Sequence, residues 1–236
     1  MKILVLGSSG KLGQVVLEKL NSRLNNVEII KSSRSSSTMP IDLSNLDLIN
    51  EFLSKIDPDI IINCSGNVDL LFCEQNKDYI TKLHIDSVEK ITNWSKKNSS
   101  RYIHISTDHF FDGDENKLHT ENEKVELLNF YALSKYKGES KISSLDNSVI
   151  IRTSFISFGP KESNSFGNWL IKTIFTEQTP SLFSDSFTSS LDIDTLGKAI
   201  VEVAMSNFNG LINIGCKESY SKSDLVIALI DKFNIQ

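Results

Sequence analysis

Apolar residues open the chain in an unbroken run, Ile3-Leu4-Val5-Leu6, which stops at Gly7. Beyond it Leu12, Val15, Val16, Leu20 and Leu24 recur with a period near 3.6. The first pattern predicts a short strand and the second an amphipathic helix. Val27-Glu28-Ile29-Ile30 returns to strand character, the serine-rich stretch 32–38 predicts a loop, and Leu46, Ile49, Phe52 and Leu53 mark the next helix face. Pro58-Asp59 leads into Ile60-Ile61-Ile62-Asn63, apolar on both faces as a central parallel strand requires. A helix over 79–97, a strand over 102–106, a helix over 130–143 and a strand over 148–153 continue the alternation. This rhythm predicts an α/β fold built on a doubly wound parallel sheet with helices on both faces.

After Thr153 the rhythm loosens. Residues 155–164 are rich in Ser and Gly, a helix is predicted near 166–175 and a loop around 180–190, and amphipathic helices over 194–205 and 223–233 flank a strand at 211–214. The expected division is therefore a nucleotide-binding domain of residues 1–154 and 187–214, with 155–186 and 215–236 forming a small substrate-binding portion. With 236 residues, 39% hydrophobic and 23% charged, the chain can bury one complete core. Its net charge of −5 comes without dense blocks of like charge, which argues against nucleic acid or an acidic membrane as a partner. No run approaches the roughly 18 to 20 apolar residues of a membrane span, and Ile3 to Leu6 is too short for a leader's apolar region. Cys64, Cys73 and Cys216 are odd in number and lack ligand spacing, so they read as small buried residues of a reducing cytoplasm, with no metal site.

Gly7-Ser8-Ser9-Gly10-Lys11-Leu12-Gly13 spaces its glycines G-x-x-G-x-x-G, directly after the first strand and opening the first helix. A pyrophosphate needs close backbone approach and N–H groups at the positive end of a helix, which this placement offers. Gly7, Ser9, Gly10, Lys11 and Leu12 are accordingly candidate cofactor contacts. An acid about 20 residues on would select the free ribose of NAD. The second strand ends instead in Lys31-Ser32-Ser33-Arg34, whose charges and hydroxyls suit the 2′-phosphate of NADPH, so NADH is the less favoured cofactor and Arg34 the candidate phosphate ligand.

Tyr131-Ala132-Leu133-Ser134-Lys135 places a phenol and an ammonium on one helix face. In ketone reduction a phenol can protonate the oxygen as hydride reaches carbon, and a neighbouring lysine can lower its pKa and hold the cofactor ribose. Bringing a phenol from its usual 10 to neutrality takes about 4 kcal/mol of differential stabilisation. Thr107 ends the preceding strand, where side chains emerge at the carboxyl edge of the sheet, and can donate to the substrate carbonyl. Thr107, Tyr131 and Lys135 are the candidate catalytic set.

Larger blocks carry a family resemblance. Ser106-Thr107-Asp108-His109-Phe110-Phe111-Asp112-Gly113 resembles the S-T-D-Y-V-F-D-G block of the dTDP-4-dehydrorhamnose reductases, a family of extended short-chain dehydrogenases/reductases, and Tyr131 to Glu139 resembles their Y-G-x-S-K-x-x-G-E block. Pro58 to Asn63 is similar to their P-D-V-V-I-N, Ile151 to Phe155 to I-R-T-S-W, and the stretch from Phe183 to Ala199 to their later block. The resemblance implies a Rossmann-type fold with a small, and against the family's usual length shortened, substrate portion. It also implies that Asp42 and Leu43 contact adenine and that Cys64, Ser65 and Gly66 pass along the cofactor. Tyr131 and Lys135 face it as well. His109 and Phe155 stand where the family has a tyrosine and a tryptophan, and are candidate substrate contacts. His84 stands where extended reductases often carry an asparagine; with His104 and His119 it reads as structural or exposed.

The implied activity is NADPH-dependent reduction of the 4-keto group of a nucleoside-diphosphate 6-deoxysugar, serving deoxysugar and polysaccharide biosynthesis. The alternatives are a nucleotide-sugar epimerase or reductase of another ketone, and a non-catalytic NADP-binding regulatory subunit like the regulatory partner of methionine adenosyltransferase. The expected partner is a nucleotide sugar, with a homodimer left open.

Overall fold

A computed structural model describes residues 1–35, 39–111, 118–142, 145–158, 167–168, 184 and 187–233. In chain order it contains β1 (Lys2–Leu6), α1 (Lys11–Arg23), β2 (Glu28–Ser32), α2 (Leu46–Ile56), β3 (Ile60–Asn63), α3 (Leu70–Gln75) and α4 (Lys77–Thr81). A π-turn (Lys82–Asp86) joins α4 to α5 (Ser87–Asn98), followed by β4 (Arg101–Ile105), α6 (Phe130–Ile142) and β5 (Ser148–Thr153). The short strands β6 (Phe155–Ile156), β7 (Phe187–Thr188) and β8 (Leu191–Asp192) precede α7 (Ile193–Met205), β9 (Gly210–Ile214), β10 (Tyr220–Ser221) and α8 (Lys222–Phe233). The expected helix near 166–175, most of the loop at 180–190, and Asp112-Gly113 lie outside the described residues, apart from a helical pair at 167–168.

The six strands of the main sheet run in the order β2-β1-β3-β4-β5-β9, every neighbour parallel. The doubly wound parallel sheet that the alternation predicts is present. Side chains alternate across it. Ile3, Val5, Ile60, Ile62, Ile103, Val149 and Ile151 pack under α1 and α7, while Leu4, Leu6, Ile61, Tyr102 and Ile150 pack under α2, α5 and α6. An isolated bridge, Ser33 to Pro40, extends the sheet past β2 before the chain crosses back to β3 on the far side of β1. That reversal between β1 and β3 is the topological switch point, where a crevice opens at the carboxyl ends of the strands. Outside this sheet, β6 pairs with β8 and β7 with β10, so the segments at either end of the chain's second half are stitched to one another.

The single long helix expected over 79–97 is interrupted. The π-turn inserts one surplus residue per turn at Lys82–Asp86, and hydrophobic periodicity does not register so local a change. The turn faces Gly138 of α6, where an added Cβ would lie 2.3 Å from the His84 carbonyl oxygen. Only glycine lets α6 sit that close.

A buried ion pair holds the far end of α6. Arg152 of β5 donates from Nε and Nη2 to the Glu139 carboxylate, at 3.1 and 2.7 Å, both side chains lying almost wholly out of water. Its guanidinium also stacks 5.0 Å from the Phe110 ring. Breaking a buried pair on one side strands the other charge, at a cost of roughly 3 to 5 kcal/mol. Glu139→Gln is expected to lower stability by about that much, read as a lower urea midpoint at unchanged slope. A loss below about 1 kcal/mol would mean that Arg152 finds water once its partner is neutral.

Candidate active site

The switch-point crevice is a cavity of about 560 Å³ lined along one wall by Gly7, Ser9 and Gly10, along the second by Ser33, Arg34, Asp42 and Leu43, and along the third by Cys64, Ser65 and Gly66. These are nine of the expected cofactor residues together with Ser33. The glycine turn works as its spacing implies. Gly7 holds φ at +73°, and an added Cβ there would lie 2.7 Å from the Ser65 nitrogen. At Gly13 an added Cβ would meet the Gly7 oxygen at 2.3 Å, so the third glycine seats α1 on the turn. The first turn of α1 carries no acidic residue and its cap, Gly10, no capping side chain, leaving the helix's positive end open to an anion. Leu12 is buried in the core instead of lining the cavity and can reach an anion only through its backbone, and Lys11 is not among the lining residues.

Arg34 donates from Nη1 to the Tyr79 hydroxyl across the cavity, at 3.0 Å. Tyr79, from α4, is a cavity residue that the sequence reading did not single out. Lys31, grouped with Arg34 by charge alone, lines a separate concavity with Leu17 and Asn21, whereas Arg34 lies in the turn beyond the end of β2 and lines the crevice. The Asp42 carboxylate accepts from the Ser44 amide and hydroxyl at 2.9 and 2.7 Å and is thereby turned into a local brace. Ser33 lines the crevice, and its Oγ is buried without a hydrogen-bond partner among the described residues. These features fit a dinucleotide, and the glycine turn fits its pyrophosphate.

Thr107, Tyr131 and Lys135 meet at the carboxyl edge of β4 and are all buried. Asn129 Oδ1 accepts from the Ala132 amide at 2.8 Å and starts the helix that presents the tyrosine. Burial pushes the Tyr131 phenol up to about 12, with hydrogen bonding to Thr107 pulling the other way. His109 lies edge-on to the Tyr131 ring at 5.8 Å and donates its amide to Thr107 Oγ1 at 3.2 Å, placing it at the site as expected. Phe155 is half-buried in β6 against the core beside Leu191, which leaves a packing role for it.

Lys135 Nζ donates to the Ile105 carbonyl at 2.7 Å and lies 3.3 Å from His104 Nε2. Burial in turn pushes the ammonium down to about 8, with Glu139 opposing. Desolvation is the largest influence on both groups in the ligand-free site.

His84, expected to be structural, proves to link the two halves of the site. Its Nε2 accepts from the Asn67 amide at 3.0 Å, so its proton resides on Nδ1 and is donated to Ser134 Oγ at 2.8 Å. Ser134 in turn donates to the Tyr131 carbonyl at 2.8 Å. Burial holds this ring neutral, its pKa lowered to about 3. The loop after β3 and helix α6 are thus tied by one imidazole.

Comparison with known proteins agrees with this architecture. A probable low-salt glycan biosynthesis reductase of Haloferax volcanii, Agl14, is 24% identical over 233 residues, covering 95% of this chain and 77% of that protein. The crystal structure of a hypothetical dTDP-4-dehydrorhamnose reductase from Sulfolobus tokodaii is 32% identical and superposes with a TM-score of 0.87, covering 100% of this chain and 83% of that one. A dTDP-4-dehydrorhamnose reductase from Bacillus anthracis in complex with NADP, 22% identical, shares the fold with a TM-score of 0.86, covering 100% of this chain and 81% of its own. The model of the RmlD substrate binding domain matches residues 1–236, and the chain belongs to that family.

Proposed function

We propose that the chain is an NADPH-dependent reductase, acting in the cytoplasm on the 4-keto group of a nucleoside-diphosphate 6-deoxysugar that serves glycan assembly. The observation that carries this reading is the juxtaposition of Thr107, Tyr131 and Lys135 with the glycine-turn crevice at one edge of the sheet. A pure binding module needs no buried proton donor there. The names of the relatives support the reaction class, and Agl14 and the reductases point to a sugar substrate. Among the described residues no helix is long and apolar enough to cross a membrane.

NADPH, when bound, supplies the hydride. Thr107 hydrogen-bonds the carbonyl oxygen and orients it, and Tyr131 delivers the proton. A phenol pushed up to about 12 keeps its proton at neutral pH, which is the form a reduction requires. It remains a stronger acid than the alcohol being formed, so transfer to the nascent alkoxide runs downhill. Lys135 holds the cofactor ribose beside it, and Ser33 with Arg34 receives the 2′-phosphate.

Tyr131→Phe is expected to lower turnover by about 10² to 10⁴ while changing NADPH affinity by no more than a few-fold, since a positioned acid is lost but at most one neutral hydrogen bond to cofactor. Sugar-dependent NADPH oxidation and fluorescence titration read the two quantities. Retention of more than about a tenth of the wild-type rate would sink the assignment. Arg34→Ala is expected to weaken NADPH more than NADH, by roughly tenfold for one charge-assisted phosphate contact. Equal losses for both cofactors would place the phosphate elsewhere.

A further inference from the structure

Behind Lys135 runs a chain of fully buried polar groups whose hydrogen-bond directions can be worked out one after another. It begins at Asn63, the last residue of β3. Asn63 Oδ1 accepts from the Ser65 amide at 3.0 Å and from Ser65 Oγ at 2.5 Å. A backbone N–H can only donate, so the amide orientation is fixed and Nδ2 is the donor toward the Tyr102 hydroxyl, at 3.0 Å. The Tyr102 oxygen therefore accepts from Asn63. Its own hydrogen needs an acceptor, and among the described residues the available atom is His104 Nδ1, at 3.2 Å, which Asn63 Nδ2 also approaches at 3.5 Å. With Nδ1 accepting, the proton of the neutral imidazole is on Nε2, which faces Lys135 Nζ at 3.3 Å. Tyr102, Asn63 and His104 are all at most 1% exposed, so water does not offer an alternative route.

We propose that Tyr102 and His104 are positioning residues that deliver an N–H donor to Lys135 and so favour its neutral amine, setting the pH at which this lysine changes charge. A neutral amine can accept from His104 while donating to Ile105; an ammonium, which has no lone pair, meets the His104 N–H head-on. The chain also ties the charge of Lys135 to the Cys64-Ser65-Gly66 turn, because a change at Ser65 propagates through Asn63 to the imidazole tautomer. The other groups facing the lysine do not supply the missing acceptor. Glu139, on the same helix, is engaged by Arg152. Cys64 is a thiol pushed up to about 12 by burial, and Tyr131 a phenol raised likewise. His84 is neutral. Burial moves the Lys135 pKa in the same direction as the tautomer, down to about 8.

Calling Lys135 catalytic rests on the proposed function, but the test is made on ligand-free protein and does not use activity. A long-range ¹H–¹⁵N spectrum reads the His104 tautomer directly. A proton on Nε2 is expected, and a proton on Nδ1 overturns the proposal. The ¹³Cε shift of Lys135 then reports its titration, with a wild-type midpoint near 8. Tyr102→Phe removes the closer donor and leaves Nδ1 only the longer Asn63 Nδ2 contact at 3.5 Å, so that His104 can carry its proton on Nδ1 and turn the Nε2 lone pair toward the lysine. The midpoint should rise by about one unit, a tenfold change in favour of the ammonium. His104→Leu removes the opposing N–H and should move it the same way, which covers the case in which Tyr102→Phe fails to fold. An unchanged or lowered midpoint in the folded variants overturns the proposal, since an acceptor at Nε2 would have been stabilising the ammonium. Failure of the functional reading is distinct: Lys135→Met would then retain full turnover while the wild-type titration and tautomer stay as described.

Discussion

At the carboxyl edge of the sheet the turn after β1 runs so near the turn after β3 that one added methyl group at residue 7 would fall 2.7 Å from the Ser65 nitrogen. Everything functional in the chain is arranged around that approach. It brings the open end of α1 to the mouth of the crevice, and it sets the Cys64-Ser65-Gly66 turn where His84 and Asn63 can reach it from opposite sides. The same contact explains why the turn tolerates little besides glycine. A Cβ at Gly7 would strike backbone, which cannot rotate out of the way, whereas one at Gly66 would meet only a side-chain nitrogen, at 3.3 Å.

Within the site, burial and charge compete, and burial prevails over the individual attractions. Tyr131 and Lys135 are four residues apart on one helix face and would attract one another if both were ionised. Instead, removal from water pushes the phenol and the lysine toward their neutral forms. A phenol that keeps its proton beside a lysine brought down to about 8 makes a site whose charge can change with what binds to it. A cationic nicotinamide ring or a developing alkoxide then meets groups free to respond by moving a proton, which a pre-formed ion pair would resist.

The sequence makes the frame of the fold legible because strand and helix periods differ so sharply. Ile60-Ile61-Ile62, apolar on both faces, identifies a central strand unaided, and Ser148 to Thr153 coincides with β5. The glycine turn and the Tyr131 to Lys135 spacing are likewise local signals, readable one residue at a time. What escaped reading depends on contacts between residues far apart in the chain. Tyr79 reaches the cavity because its helix crosses Arg34, 45 residues earlier. His104 matters because Tyr102, on the same strand face, leaves it a single tautomer. Neither fact has a periodicity. Lys31 shows the converse: proximity in sequence to Arg34 suggested a shared role, and the turn after β2 places Arg34 at a different cavity.

The π-turn at Lys82–Asp86 also has a meaning as a matter of phase. Each residue of a regular α-helix turns the next by about 100°, so one surplus residue leaves the parts before and after it rotated by that amount relative to a continuous helix. Ahead of the turn Tyr79 lines the crevice, and behind it Val88, Ile91 and Trp94 pack in the core under the sheet. The two halves answer to different surfaces. Loss of one residue anywhere between Lys82 and Asp86 would make the helix regular and bring both halves under a single phase, so that either the crevice or the core would lose the side chains now turned toward it.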